Sequence, residues 1–305
     1  MNKFERSWLL FRSSLQVIIR NKELLIFPIL TSICSAVILL FFLAPAVLWP
    51  TPGYSYLSAD HWRALFNVFF EKTNSSGAHQ ITYSPVAIAY LAFLYLVSMF
   101  VATFFNVAFY NEILAALSGQ PVSLGRGLKF ACSRWKAILM WALFAGLVGL
   151  IIKAIEQRLS VVGKIVARLI GVAWSIASVF VIPVIVRDEE TVNPVTILKK
   201  SALTLTQTWG ESLIGYIGIG AINSIVFIGS AVVLVASGII SAQLNNFLLF
   251  GLTIAGWIVF MVVWGYLMNV AGLVYKGALY LYAAEGTIAE PYGQEMLDSA
   301  WKYKK

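Results

Sequence analysis

Charge, histidine and cysteine are all scarce in this chain, and each shortage removes a class of protein. Only 12% of the 305 residues are Asp, Glu, Lys or Arg, against 60% hydrophobic. That leaves too few polar side chains to clothe a water-soluble globule of this length. The two histidines, His61 and His79, fall in one polar stretch whose acids are Asp60 and Glu71. Asp60 and His61 are consecutive, so their side chains diverge on a helix. No serine or cysteine has a plausible catalytic base beside it in sequence, and no glycine-rich phosphate loop, zinc spacing or helix-turn-helix pattern occurs. No enzyme, no cofactor, no metal site and no nucleic-acid partner is therefore expected. Cys34 lies in an apolar run and Cys132 in a basic segment, so neither has an oxidising compartment to pair in and no disulfide is expected.

What the chain does have is apolar length. A run of about 20 residues crosses a hydrocarbon core of about 30 Å, and six regions qualify: Leu24 to Leu48, Val86 to Tyr110, Ala137 to Ile152, Ile165 to Val186, Leu213 to Ile239 and Phe247 to Val274. The third reaches the length if Lys153 snorkels to the interface. Each must be helical, because a lone strand leaves backbone donors unsatisfied in lipid. Ala44-Pro45-Ala46 resembles a signal cleavage site, but it ends a stretch far longer than a signal core and placed behind a whole amphipathic segment. The reading is an uncleaved first span.

Basic residues set the orientation. With the N-terminus in the cytoplasm, the inner segments hold sixteen, from Lys3 and Arg6 through Arg126, Lys129, Arg134 and Lys136 to Lys302, Lys304 and Lys305. The outer segments hold six: Arg63, Lys72, Lys153, Arg158, Lys164 and Arg168. The positive-inside rule then puts both termini in the cytoplasm. The net charge of +8 meets the anionic headgroups of the inner leaflet, which are the expected partners.

A basic amphipathic helix precedes each apolar hairpin. Leu124, Leu128, Ala131 and Trp135 form an apolar stripe at helical spacing, and a shift of 74 residues gives Leu198, Ala202, Leu205 and Trp209. Pro121 and Pro194 start the two segments, the second behind a capping Asn193. Phe4, Trp8, Phe11, Leu15 and Ile18 run likewise near the N-terminus. Such helices are expected in the headgroup plane, apolar face down. Asn106-Val107-Ala108 and Asn269-Val270-Ala271 echo each other at the ends of spans two and six. The expected fold is an all-α, six-span membrane domain over 1–305, with repeat units of about 1–117, 118–192 and 193–305, an outer loop at 49–84, and a pseudo-axis along the membrane normal.

Asn21-Lys22-Glu23-Leu24-Leu25-Ile26-Phe27-Pro28, together with Ser7-Trp8, the stretch from Gly163 to Trp174, Pro183-Val184 and Trp209-Gly210-Glu211, resembles the six-helix prokaryotic membrane family known as DUF6159. The helix-plus-hairpin plan more weakly resembles membrane domains attached to glycerophosphodiester phosphodiesterases. The first resemblance implies a multi-pass protein of a prokaryotic cytoplasmic (inner) membrane. Neither implies an activity.

Polar residues inside the spans are the candidates for chemistry. On span three Ala142, Gly146, Gly149, Lys153 and Glu156 share a face, and on span four Lys164, Arg168, Gly171, Ser175 and Ser178 do. Lys153, Glu156, Arg158, Lys164 and Arg168 would then form an outer basic mouth, above a face of Gly146, Gly149, Gly171, Ser175 and Ser178 that lines a groove or packs helices. Span five is rich in glycine, with Gly215, Gly218, Gly220 and Gly229, which points to a close neighbouring helix or a bend. At the cytoplasmic end Asn106, Asn111 and Glu112 match Asn269 and Lys276 in depth, and Glu112 and Lys276 can pair if spans two and six adjoin. Lys22 and Glu23 cap the corner where the chain enters the membrane. Pro183 removes the hydrogen bond to the carbonyl of Val179 and should kink span four. Residues 187–192 read as a solvated turn. Two functions stay open: a channel or transporter for an anionic or small solute, as a single chain or a homo-oligomer, and a non-transporting lipid-interacting or scaffolding protein.

Overall fold

The computed structural model describes residues 3–48, 55–75, 78–158, 161–207 and 212–293. The elements are α1 (Lys3–Arg20), a short 3-10 turn (Lys22–Leu25), α2 (Ile26–Val47), α3 (Ala59–Phe69), strands β1 (Phe70–Ser75) and β2 (Ala78–Tyr83), α4 (Pro85–Leu117), α5 (Leu124–Ser133), α6 (Trp135–Arg158), α7 (Val161–Ala177), α8 (Val181–Arg187), α9 (Pro194–Gln207), α10 (Ser212–Gln243) and α11 (Phe247–Glu285). Six stretches are long and apolar enough to cross a membrane: Lys22–Ala44, Pro85–Leu117, Trp135–Gln157, Gly163–Arg187, Ile222–Gln243 and Phe247–Glu285. Among the described residues the chain is all-α apart from one antiparallel hairpin, in which β1 pairs with β2 from Phe70↔Tyr83 to Ser75↔Ala78. An even number of spans brings α1, α5, α9 and the end of α11 to one face, here called the terminal face. The elements α3, β1 and β2 occupy the other, the loop face.

Among the helices longer than a bilayer requires, α4 and α11 run on into the protein core. At 1.5 Å per residue the 33 residues of α4 and the 39 of α11 reach about 50 Å and about 58 Å, against a hydrocarbon core of about 30 Å. The sequence ends these spans at Tyr110 and Val274, whereas the helices run on to Leu117 and Glu285. Their extensions are apolar because they are buried in protein. Ile113, Leu114, Tyr275, Ala278 and Leu279 are all covered, and hydropathy does not separate a buried helix end from a lipid-facing one.

Around these extensions the short helices assemble a core. From α1 come Leu10, Phe11, Val17 and Ile18, from the corner Leu24 and Phe27, from α8 Phe180 to Val186, and from α9 Ile197 and Leu205. The amphipathic helices therefore spend most of their apolar faces on protein rather than lipid. Trp8 and Trp135 stay about half exposed. Ala131 and Leu205, 74 residues apart, are the fully buried members of their stripes, and Trp209 lies outside the described residues.

Two glycines permit the closest approaches. A Cβ on Gly127 would lie 2.8 Å from the Ala108 carbonyl oxygen and 3.0 Å from Phe27 Cζ, and one on Gly277 would lie 2.8 Å from Ile113 Cγ2. Gly127 thus lets α5 rest on the backbone of α4, and Gly277 lets α11 cross it. Phe27 stacks on Phe109 with centroids 5.4 Å apart, and the Tyr266 hydroxyl donates to the Leu25 carbonyl. The Asn21 to Pro28 run is therefore a corner that drives two side chains into the core and receives a hydrogen bond from α11.

Candidate functional site at the terminal face

Glu112, near the end of α4, is fully buried and fully engaged. Its Oε1 accepts from Arg126 Nε at 3.0 Å and from Asn111 Nδ2 at 2.9 Å, and its Oε2 accepts from Arg126 Nη2 at 2.6 Å and from the Ser123 backbone N–H at 2.7 Å. The bidentate fork ties the 118–123 turn and the start of α5 to α4. The hydrogen bond to Glu112 outweighs the guanidinium's partial burial and raises the Arg126 pKa above its usual value. Spans two and six adjoin, as the expected Glu112–Lys276 pairing requires, with Gly277 of α11 against Ile113, and the cation seen on both Glu112 oxygens is Arg126, from the neighbouring turn. Lys276 and Asn106 are half-buried and Asn269 is exposed.

Arg134, between α5 and α6, is a buried cation that meets carbonyl dipoles. It is 8% exposed. Its guanidinium donates to the carbonyls of Ile185 at 3.2 Å, Asp188 at 2.7 Å and Thr191 at 3.1 Å, and to that of Glu189. These are the free carbonyls at the end of α8 and in the turn beyond it, where helix polarity favours a positive charge. The sequence counts Arg134 only toward the orientation bias and reads 187–192 as a solvated turn. In the structure that turn is folded around the arginine. At its rim Lys200 pairs with Asp188 and Arg187 with Glu285 at 2.9 Å. Burial opposes ionisation of Asp188, but the hydrogen bonds and charge from Lys200 and the bond from Thr191 prevail, so its carboxyl titrates below the usual value.

Span four is interrupted at 178–180, between α7 and α8, five to three residues before Pro183. Ser201 of α9 bridges the gap, its Oγ accepting from the Phe180 N–H at 3.0 Å and donating to the Ala177 carbonyl at 2.6 Å. A single hydroxyl thus satisfies a donor and an acceptor that the break exposes. Ser201 was missed, although a signal existed: with Ile197 and Leu205 it forms an i, i+4, i+8 series on a buried face, where a serine needs a partner.

Clefts surround this end of the molecule. One of about 310 Å³ is lined by Asn111, Ser118, Gln120, Arg126, Arg187 and Glu189 among others. A second of about 370 Å³ contains Asp188, Lys200, Tyr280 and Glu285. Beyond α11 the chain doubles back so that the buried Tyr292 hydroxyl lies 2.8 Å from Ser14 Oγ on α1, and its burial pushes the phenol pKa up.

The other candidates lie toward the loop face. Lys153, Lys164 and Arg168 are exposed, and Arg168 Nε is 3.2 Å from Glu156 Oε1. The Arg158 side chain and the surroundings of Gly215, Gly218 and Gly220 lie outside what is described. A Cβ on Gly146 would meet Leu96 at 3.1 Å, and one on Gly149 the Tyr95 hydroxyl at 3.1 Å, so this face of α6 packs on α4. Gly171 has Ile152 of α6 as its neighbour, at 3.9 Å. Ser175 Oγ donates to the Gly171 carbonyl at 2.9 Å and Ser178 Oγ to that of Ser175 at 3.2 Å. The α6–α7 seam is filled by Trp141 stacked on Trp174, with centroids 5.9 Å apart, and by Phe144.

Six apolar spans closed at one face by a packed core define a multi-pass helical membrane protein. Within that class the chain belongs to the family of unknown function DUF6159, whose model matches residues 86–290. The matched region contains Glu112, Arg126, Arg134, Pro183, Ser201 and Gly277, and begins after the Asn21 to Pro28 run. Comparison with curated proteins and with solved structures gives no match, so the weaker phosphodiesterase resemblance has no support there.

Proposed function

We propose that this chain is a non-transporting membrane scaffold of a prokaryotic cytoplasmic membrane, with the terminal face in the cytoplasm and anionic headgroups of the inner leaflet around it. One observation carries the reading: burial is concentrated at the terminal face. The most apolar stretches of α10 and α11 are 6% and 0% buried, and Gly146 and Gly149 are filled by α4. A solute path within one chain needs spans that face each other across polar surface. Here the polar groups of the core are taken up in holding backbone and turns, as Glu112, Arg134 and Ser201 illustrate. The sixteen-to-six charge bias supports the orientation, and the exposed Lys199 and Lys200 sit where headgroups would meet α9.

The exposed flanks of α10 and α11 favour a second reading, a homo-oligomer with an anion path between copies, whose outer mouth would carry Lys153, Lys164 and Arg168. Reconstituted protein separates the two. The scaffold reading expects no anion flux above empty vesicles and, in native mass spectrometry, a monomer retaining anionic lipid. Flux that falls on replacing Lys164 and Arg168 together by Gln, with a symmetric oligomer, overturns it in favour of the channel.

A further inference from the structure

The outer loop has no part in either reading, yet it contains the most exposed large apolar side chain among the described residues, Leu57 at 97%. We propose that α3 is a lipid-binding element that lies in the headgroup layer on the loop face and inserts Trp62 and Phe66 among the acyl chains of that leaflet.

Sequence and local structure give α3 two faces. Ser58 caps it, its Oγ accepting from the His61 N–H at 3.3 Å. At 100° per residue Trp62, Leu65, Phe66 and Phe69 share one side, and Asp60, Arg63 and Asn67 share the opposite one, where Arg63 pairs with Asp60 at 3.1 Å. Trp62 is 48% and Phe66 39% exposed, so among the described residues the outer part of the apolar side is uncovered, while Phe69 packs on Tyr90.

Depth is fixed by anchors at both ends of α3. The buried His61 ring meets the carbonyl of Val47, the last residue of α2, at 3.0 Å. At the other end Ser84, which caps α4, donates its hydroxyl to the Val68 carbonyl at 2.7 Å and its N–H to that of Phe69 at 2.9 Å. The helix is thus fastened to the end of span one and the start of span two, at the level where those spans leave hydrocarbon. Aromatic side chains with a polar edge are favoured at that level. An amphipathic helix held there has lipid as its immediate neighbour, and the covalent connection to two spans removes most of the entropy cost of bringing it to the surface.

The test uses full-length protein with Cys34→Ala and Cys132→Ala, reconstituted in phosphatidylcholine vesicles. Single cysteines replace Trp62, Arg63 or Leu57 and carry an environment-sensitive fluorophore. Labels at 62 and 57 should be quenched severalfold more by nitroxide-bearing lipid than by an aqueous quencher, and the label at 63 should show the reverse. Leu57 lies outside the helix and forms no side-chain hydrogen bond, so it reports even if a change at Trp62 disturbs α3. Equal aqueous quenching at all three positions overturns the proposal. So does protection of positions 62 and 57 from both quenchers at high protein-to-lipid ratio only, which would assign this face to a second copy.

Discussion

The two ends of this molecule are built by different rules. At the terminal face long and short helices converge on a core with the polar economy of a soluble protein: Glu112 accepts four hydrogen bonds, Arg134 donates to four carbonyls and Ser201 bridges a broken helix. Toward the loop face α10 and α11 touch mainly each other, through contacts such as Phe227 with Trp257 and Gly238 with Phe250, and their other sides are exposed. The difference follows from the solvent. Lipid covers apolar side chains as well as protein does, so a span gains little by burial. A helix end that emerges from hydrocarbon must instead bury its apolar surface and satisfy its carbonyls within the protein.

Substitutions should therefore be expensive at one end and cheap at the other. Arg126→Ala leaves the Glu112 carboxylate buried without its cation and should cost about 3–5 kcal/mol, seen as a large drop in thermal midpoint in detergent. Glu112→Gln combined with Arg126→Ala should recover part of that loss. If Arg126→Ala alone is neutral, the terminal core is not the stable end.

Ser201→Ala removes both bonds across the break in span four and should cost about 1–3 kcal/mol. Hydrogen exchange at the Phe180 N–H should accelerate with it, while Ser237→Ala on α10, whose hydroxyl returns to its own helix at Leu234, should leave exchange unchanged. Equal effects at the two serines would erase the contrast.

The Asp188–Lys200 pair gives a smaller, pH-dependent effect. Because the folded carboxyl titrates below its usual value, its contribution is complete above the unfolded value of about 3.9 and is lost as pH falls through the folded one. Relative to Asp188→Asn, the native chain should be more stable at neutral pH and lose that advantage only in acid. An advantage that disappears between pH 5 and 7 would point to another group. Smallest of all, Val233→Leu on the exposed flank of α10 should shift stability by no more than about 0.5 kcal/mol. A loss of several kcal/mol there would mean that this flank is covered by another copy.

Much of the scaffold was legible because it is encoded locally. Six spans, short helices ahead of each hairpin and the effect of Pro183 on span four all follow from runs and spacings that need no knowledge of distant residues. The site was read less well. Asn111 and Glu112 were singled out without Arg126, because depth along two spans says nothing about a turn that folds back. Arg134 looked like one more positive charge, since nothing near it in sequence announces four carbonyls from residues 185–191. The outer loop gave its amphipathic α3 away only once His61 and Ser84 were seen to pin it to two span ends.

The sequence by itself determined that this chain lives in a membrane, how many times it crosses and where the crossings fall, because the cost of placing a residue in hydrocarbon is nearly a property of that residue alone. Tertiary structure decided how far α4 and α11 continue, which cation meets Glu112, what Arg134 holds and how Ser201 closes the break. Those outcomes depend on hydrogen bonds between groups 14 to 57 residues apart, whose geometry exists only after the helices have packed.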